Sequence, residues 1–213
     1  EGIEAVNGQA ASVLVIGFGR FGQIASQGVI ARGASITIID NNVQMIRDAE
    51  AYGFKVYYGD GCRADVLHAA GAALSFKLRK QPHIAVATCG DGGSSKTDFY
   101  AALNSAGAYE LPLVLGVINN GWAISVPRSA QTGAQTLAQK GLAGGLHCLQ
   151  VDGNDLIAVL EGMRRASERA RKGQGGTVIE FVTYRLSDHT TADDARRYRD
   201  DAEVKAGWER EPM

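Results

Sequence analysis

Two short strings carry the residues best suited to gripping a divalent ion: Cys89-Gly90-Asp91-Gly92-Gly93 and Asn119-Asn120. Each follows an apolar run, HIAVATC at 83–89 and PLVLGVI at 112–118, that reads as a buried strand. Consecutive parallel strands would deliver Asp91 and Asn120 to one carboxyl rim of a sheet. There a carboxylate and an amide oxygen are hard ligands for Mg²⁺, while Gly90, Gly92 and Gly93 let a diphosphate approach the backbone. Mg²⁺ accepts few protein ligands and completes its octahedron with phosphate oxygens, so two side chains and one backbone carbonyl suffice.

A second constellation stands upstream. In VLVIGFGRFGQI, Gly17, Gly19 and Gly22 form G-x-G-x-x-G between a strand and a helix. The first glycine permits a tight turn, the second lets a pyrophosphate come close, and the third allows the helix to pack on the strand. The helix N-terminus then faces the phosphates. Asp40 ends the next strand, SITIID, where a carboxylate binds a ribose 2'-hydroxyl and repels a 2'-phosphate. That favours NAD(H) or AMP over NADP.

Positioning both constellations requires alternating elements. VLVI (13–16), SITIID (35–40) and KVYYGD (55–60) read as strands, with helical spacing of apolar residues over 20–32 and 42–52. A helix over 65–80 carries Leu67, Ala70, Leu74 and Leu78 as its apolar stripe. Further helices are expected over 97–108, 134–143 and 155–171, further strands at HCLQV (147–151) and TVIEFVTYR (177–185), and a loop at NNGWAISVPRS. LSDHTTADDARRYRDD lacks periodicity and reads as a long polar loop, before a helix-like DAEVKAGWER. Strands separated by helices predict an α/β fold, a doubly wound and mostly parallel sheet.

Composition narrows the function. The 213 residues are 45% hydrophobic, enough for a real core, and the net charge of −1 draws neither nucleic acid nor an acidic membrane surface. Three cysteines, Cys62, Cys89 and Cys148, lack metal-knuckle spacing and point to a reducing cytoplasm. No apolar run reaches the ~20 residues that span a bilayer, so direct membrane insertion is not expected. The chain lacks an initial Met, and both ends read as cuts inside something longer. His68, His83 and His147 have no ligand spacing and read as structural. Asp155 reads as a helix start, RRASERARK as a solvated face, and adjacent Asp193 and Asp194 offer no acid/base pairing.

Residues 13–71, with VIGFGRFGQ, TIIDNN and GFKVYYGDGCRADVLHAAGA, resemble the nucleotide-binding regulatory domain of glutathione-gated potassium efflux systems and related conductance regulators. The resemblance implies nucleotide sensing and potassium-transport regulation, not hydride transfer, with Asp60 and Arg63 near the adenosine end of the ligand.

From Ala72 onward the chain resembles the alpha subunit of thiamine-dependent pyruvate and branched-chain 2-oxo acid dehydrogenases. GDGGSSKTDFYAALNSAG, LPLVLGVINNGWAISVPRSAQT, LQVDGNDLIAV and TYRLSDHTTADDARRYR carry the match, and GDG followed by NN at this distance signals thiamine diphosphate. The resemblance implies a Mg²⁺ and thiamine diphosphate site. In it Asp91 and Asn120 are side-chain ligands, and Trp122 is a backbone ligand. His189 assists acyl transfer to a lipoyl arm, Arg185 anchors the His189 loop, and Thr190 takes the place of a regulatory phosphoserine. Ile118 departs from the Arg or Gln of some members. The partners implied are a dehydrogenase beta subunit, which supplies the glutamate that activates the cofactor, a lipoyl domain, and further copies in an oligomer.

The chain therefore reads as a chimera, residues 1–71 a Rossmann-like nucleotide-binding half and residues 72–213 a thiamine-diphosphate-binding half without its upstream segment. The 65–80 helix serves both, and one continuous sheet or two abutting halves are expected rather than tethered domains. The alternatives are a nucleotide-binding regulatory module, or a recombinant fold with neither activity.

Overall fold

The structure is a computed structural model that describes residues 13–16, 23–24, 26–27, 30–31, 35–40, 47, 56–58, 65–190 and 193–209. The helices expected over 20–32 and 42–52 fall largely outside these residues.

Seven parallel strands form one sheet. In chain order they are β1 (Val13–Ile16), β2 (Ile36–Asp40), β3 (Val56–Tyr58), β4 (Ile84–Gly90), β5 (Leu113–Asn119), β8 (His147–Asp152) and β9 (Thr177–Val182). A hairpin of β6 (Trp122–Ala123) and β7 (Val126–Pro127) stands apart. Across the sheet the order is β3-β2-β1-β4-β5-β9-β8. From residue 65 onward the described helices are α1 (Asp65–Leu78), α2 (Thr97–Ala108), the short α3 (Arg128–Gln131), α4 (Leu156–Arg171) and α5 (Asp201–Trp208). Of the two expected arrangements the continuous sheet is present, and β1 joins β4 within it, where Val13 pairs with Ile84 and Ile16 with Ala87.

Strand alternation divides the core into two layers. Ala85 and Ala87 of β4, with Leu113, Leu115 and Val117 of β5, face α1 and α2. Ile84 and Val86, with Val114, Ile179 and Phe181, face Val159, Met163 and Ala166 of α4. A strand buried on both faces needs apolar residues at every position, which is why these runs are continuous rather than alternating.

The junction helix is rotated from its expected stripe. Its buried face is Val66, Ala69, Ala70 and Ala73, while Leu67 is 38% and Leu78 is 73% exposed. The strand beneath presents alanines, so the helix settles close on its own alanines, and only Leu74 of the expected leucines packs at the margin. Gly71 faces open space, where an added methyl would meet nothing within 4 Å.

Other local expectations fare unevenly. α2 and α4 lie as expected, and Asp155 caps α4 by accepting from the Ile157 and Ala158 amides at 2.8 and 3.1 Å. The helix expected over 134–143 is instead a 3₁₀ turn, Ala138–Gly144, ended by Gly145 at φ +75°. It is pressed onto α2 so tightly that a methyl on Gly107 would meet the Gly144 carbonyl oxygen at 1.5 Å. Packing of backbone on backbone, not helical periodicity, shapes this segment.

Three variants test the packing. Ala73→Leu should destabilise by about 1–3 kcal/mol in urea titration through overpacking, while Leu78→Ala at its exposed site should change little. Burial, followed by Arg169 and Arg165, lowers the pKa of His147 below its ordinary 6.5. The unfolded chain therefore binds this proton first, and stability from the neutral imidazole is lost as pH falls below 6.5. His147→Gln should flatten that acid limb of the urea midpoint.

Candidate functional site

β4 and β5 run side by side with Gly90 opposite Ile118, and the Asp91 amide donates to the Ile118 carbonyl at 3.1 Å. Asp91 therefore stands level with Asn119, one residue short of Asn120, on the carboxyl rim of the sheet. The Asp91 residue is only 2% exposed. Its Oδ1 accepts from the Gly92 amide at 2.9 Å and its Oδ2 from Gln131 Nε2 at 2.8 Å. The Ser94 amide and hydroxyl both donate to the Asp91 carbonyl, closing the 3₁₀ turn Gly92–Ser95.

Glycine is required at 92, because a Cβ there would lie 2.7 Å from Ala123 Cβ in the neighbouring hairpin. At Gly90 a Cβ would meet nothing within 4 Å, so the rim is open beside the carboxylate. Gly93 backs onto Cys89, whose Cβ would lie 3.2 Å from an added methyl.

The end of β5 turns sharply. Gly121 adopts φ +86°, Asn119 Oδ1 accepts from its amide at 3.3 Å, and Asn120 Oδ1 accepts from the Trp122 amide at 3.1 Å. The chain beyond β9 extends the same edge, with the Thr183 amide donating to Asn119 O at 2.9 Å and the Arg185 amide to Asn120 O at 3.1 Å. Arg185 then reaches over the hairpin to the carbonyls of Trp122, at 3.3 Å, and Ile124, at 2.8 Å. The Trp122 ring rests 5.4 Å from that of Tyr198, and its Nε1 donates to Glu203 at 3.1 Å.

The segment expected as a polar loop is a cross-braced strap. Arg185 donates to Tyr198 Oη at 2.7 Å, and Tyr198 donates to Asp193. Asp193 also accepts from the His189 amide at 2.8 Å, and these hydrogen bonds hold its carboxyl below the usual carboxylate range. Arg199 donates to the carbonyls of Arg185, Leu186 and Ser187.

Gly90, Asp91, Gly92, Gly93, Asn120, Trp122 and Arg185 thus converge on one rim. His189 and Thr190 sit further along the strap, both exposed. Gly17, Gly19, Gly22, Asp60 and Arg63 lie outside the described residues; Asp40 ends β2, but its side chain is outside them as well. The strand order reverses between β1 and β4, so the carboxyl end of β1 lies beside that of β4, at the crevice where open α/β sheets bind ligands.

Three contributors escape the motif reading. Gln131 touches Asp91 directly. Glu180, 1% exposed in β9, accepts from Asn119, Gln150 and the Leu137 and Ala138 amides. Lys140, 6% exposed, donates to Ser94 and Ser95; burial, then Arg128, pushes its pKa below the ordinary lysine range. A charged residue inside the apolar run TVIEFV was the one sequence signal for Glu180. Gln131 and Lys140 had none.

The donor set fits a hard cation. Asp91 is a buried carboxylate with amide hydrogen-bond partners and no ion pair among the described residues; the buried Lys140 ammonium lies beyond ion-pair distance but close enough to interact with its charge. Asn120 Oδ1 and the Trp122 carbonyl each accept one hydrogen bond and retain a lone pair. Among the described residues no three His, Cys, Asp or Glu side chains gather as a metal cluster. The available ligands are therefore oxygens of mixed type, suited to Mg²⁺ sharing its shell with phosphate.

Comparison with known proteins decides the family. The dehydrogenase E1 component profile matches residues 44–213, four-fifths of the chain. The chain belongs to the dehydrogenase E1 component family. A second profile, the TrkA-N domain, matches residues 13–74. Both sequence resemblances hold, and their matches overlap over residues 44–74, through most of α1. The pyruvate dehydrogenase E1 component subunit alpha of Staphylococcus aureus strain Mu50 is 47% identical over 148 residues, 69% of this chain and 40% of that protein. The Staphylococcus epidermidis protein of the same name, from strain ATCC 12228, matches to the same extent. The chain thus spans well under half the length of these relatives.

Solved structures agree on the fold. Benzoylformate decarboxylase from Polynucleobacter necessarius superposes with TM-score 0.53 at 15% identity, over 78% of this chain and 33% of that one. Transketolase from Campylobacter jejuni gives 0.51 at 19% identity, over 58% and 20%.

At this rim, the contact between Gly92 and Ala123 offers a clean test. Gly92→Ala should lower the thermal midpoint by several degrees, because two backbone segments must part. Adding Ala123→Gly should restore most of the loss; a double variant no better than the single would place the strain elsewhere.

Proposed function

We propose that the chain is an alpha-subunit fragment of a thiamine diphosphate and Mg²⁺-dependent 2-oxo acid dehydrogenase, pyruvate or branched-chain, dividing near residue 71 from a nucleotide-binding half. The observation that carries this reading is the buried Asp91 carboxylate, level with Asn119-Asn120 on the same rim and lacking an ion-pair partner among the described residues. Asp91, Asn120 and the Trp122 carbonyl would hold Mg²⁺, and the Gly90–Gly93 turn would take the diphosphate. When bound, the thiamine supplies the carbanion chemistry that releases carbon dioxide from a 2-oxo acid.

The protein's own part is to hold and orient. Gln131 and the Gly92 amide fix the Asp91 carboxylate, and the Asn120 side chain is set by its bond to the Trp122 amide. Arg185, Tyr198 and Asp193 brace the strap on which His189 stands, and that imidazole would assist acyl transfer. A beta subunit would complete the site, and a lipoyl domain would accept the acyl group. Neither Cys89 nor Cys148 is in a disulfide, which fits a cytoplasmic setting.

The reversal of strand order at β1 and β4 favours a second reading for residues 1–71, binding of NAD(H) or AMP at Gly17, Gly19 and Gly22 with Asp40 on the ribose. Calorimetric titrations distinguish the two activities. Thiamine diphosphate with Mg²⁺ should bind, and Asp91→Ala should weaken that binding on the order of 100-fold, as expected for removing a buried charge from its partner. The same variant should leave NAD(H) or AMP affinity unchanged, and Gly19→Val should show the opposite pattern. Loss of both signals in Asp91→Ala would mean unfolding. Thiamine diphosphate affinity untouched by it would end the assignment of this rim.

A further inference from the structure

The metal-side turn after β4 and the asparagine pair after β5 belong to separate strand ends, yet both are tied to a third segment, the 3₁₀ turn Ala138–Gly144 and its approach. On one side Lys140 Nζ donates to Ser94 O at 2.9 Å, Ser94 Oγ at 2.9 Å and Ser95 Oγ at 3.1 Å. Ser94 Oγ in turn donates to the Asp91 carbonyl at 2.6 Å. On the other side the amides of Leu137 and Ala138 donate to Glu180 Oε2 at 2.8 and 3.2 Å, and Glu180 Oε1 accepts from Asn119 Nδ2 at 2.7 Å. Gly107 and Gly144 press this turn onto α2, which leaves it little room to shift.

The chemistry of the two ends is matched to what each must hold. An ammonium has three donors, and Lys140 places all three on the oxygens of the 94–95 turn. A carboxylate has acceptors only, and Glu180 uses them on backbone and amide donors. Both charges are buried, and among the described residues neither forms an ion pair within 4 Å with the other or with Asp91. A hydrophobic residue would fill the Lys140 site at lower cost in burial. What the ammonium adds is a fixed position for the turn, together with a charge that interacts with Asp91 and Glu180 from beyond ion-pair distance.

We propose that Lys140 is a positioning residue for the cation site, acting through Ser94 on Asp91, with the 138–144 turn serving as a common brace whose Glu180 side holds the asparagine end. This rests on the thiamine diphosphate and Mg²⁺ reading for its functional consequence, though not for its structural one. The brace sets the spacing between the two strand ends before any ligand arrives.

The test uses the full chain and two readouts. In hydrogen exchange without cofactor, Lys140→Met should speed exchange of the Ser94 and Lys96 amides about tenfold or more, while the β5 and β9 amides keep their wild-type protection. In calorimetry, Lys140→Met should weaken thiamine diphosphate binding at saturating Mg²⁺ by about tenfold, below the melting temperature and with an unchanged circular dichroism spectrum. Ser94→Ala, which cuts the relay but keeps the ammonium, should reproduce both effects, and the double variant should add little to either single one. Should Lys140→Met fail to fold, Ser94→Ala decides alone. Unchanged exchange at Ser94 and Lys96, or exchange that rises equally across β5 and β9, overturns the proposal. If wild type binds no thiamine diphosphate while exchange responds as expected, the brace stands and the cofactor assignment falls.

Discussion

Parallel pairing of β4 with β5 is the constraint on which the site depends. Parallel strands end at the same rim, so residues that follow them are neighbours whatever the length of chain between. The register, Gly90 opposite Ile118, sets Asp91 against the start of the Asn119-Asn120 turn, and a slip of one residue would turn the inward faces outward. Everything else at the rim secures this juxtaposition: Ser94 closes the turn, the Gly121 backbone bends β5 away, and Arg185 straps the hairpin.

The same geometry explains how segments related to two families share one sheet. A parallel edge offers a row of amide and carbonyl groups that any other parallel strand of suitable register can complete. β1 does this for β4, with Val13 and Val15 entering the layer that α4 covers. The junction helix packs on β4, β5 and α2 through Val66 and a run of alanines, which demand little of their neighbours' shapes. Leucines on that face would have needed pockets cut for them.

Features set by local periodicity or by motif were legible. The buried strands, α2, α4 and the Asp155 cap follow from residue order alone, as does the arrival of Asp91 and Asn120 at one rim. What was not legible depends on distance-spanning packing. The apolar stripe of α1 was misplaced because leucine count outweighed the smallness of Ala85 and Ala87 beneath it. The 134–143 segment looked helical, yet Glu180 captures its Leu137 and Ala138 amides and Gly107 presses on Gly144. The polar run after β9 showed no period since its order comes from side chains, Arg185, Tyr198, Asp193 and Arg199, and not from a repeating backbone. Lys140 and Gln131 sit in ordinary strings, and only the fold brings them to the neighbourhood of Asp91.

The seam between β1 and β4 has a kinetic side. Val13 meets Ile84 across β2, β3 and α1, and β5 meets β9 across a comparable length of chain, whereas β4 with β5 and β8 with β9 pair segments nearer in sequence. Closing a long loop costs entropy before its contacts return any, so these two long-range ladders are expected to form after the short-range ones. Until then one side of β4 is an unsatisfied edge, open to a strand from another molecule. Dilution during refolding therefore favours the intramolecular closure over its intermolecular competitor.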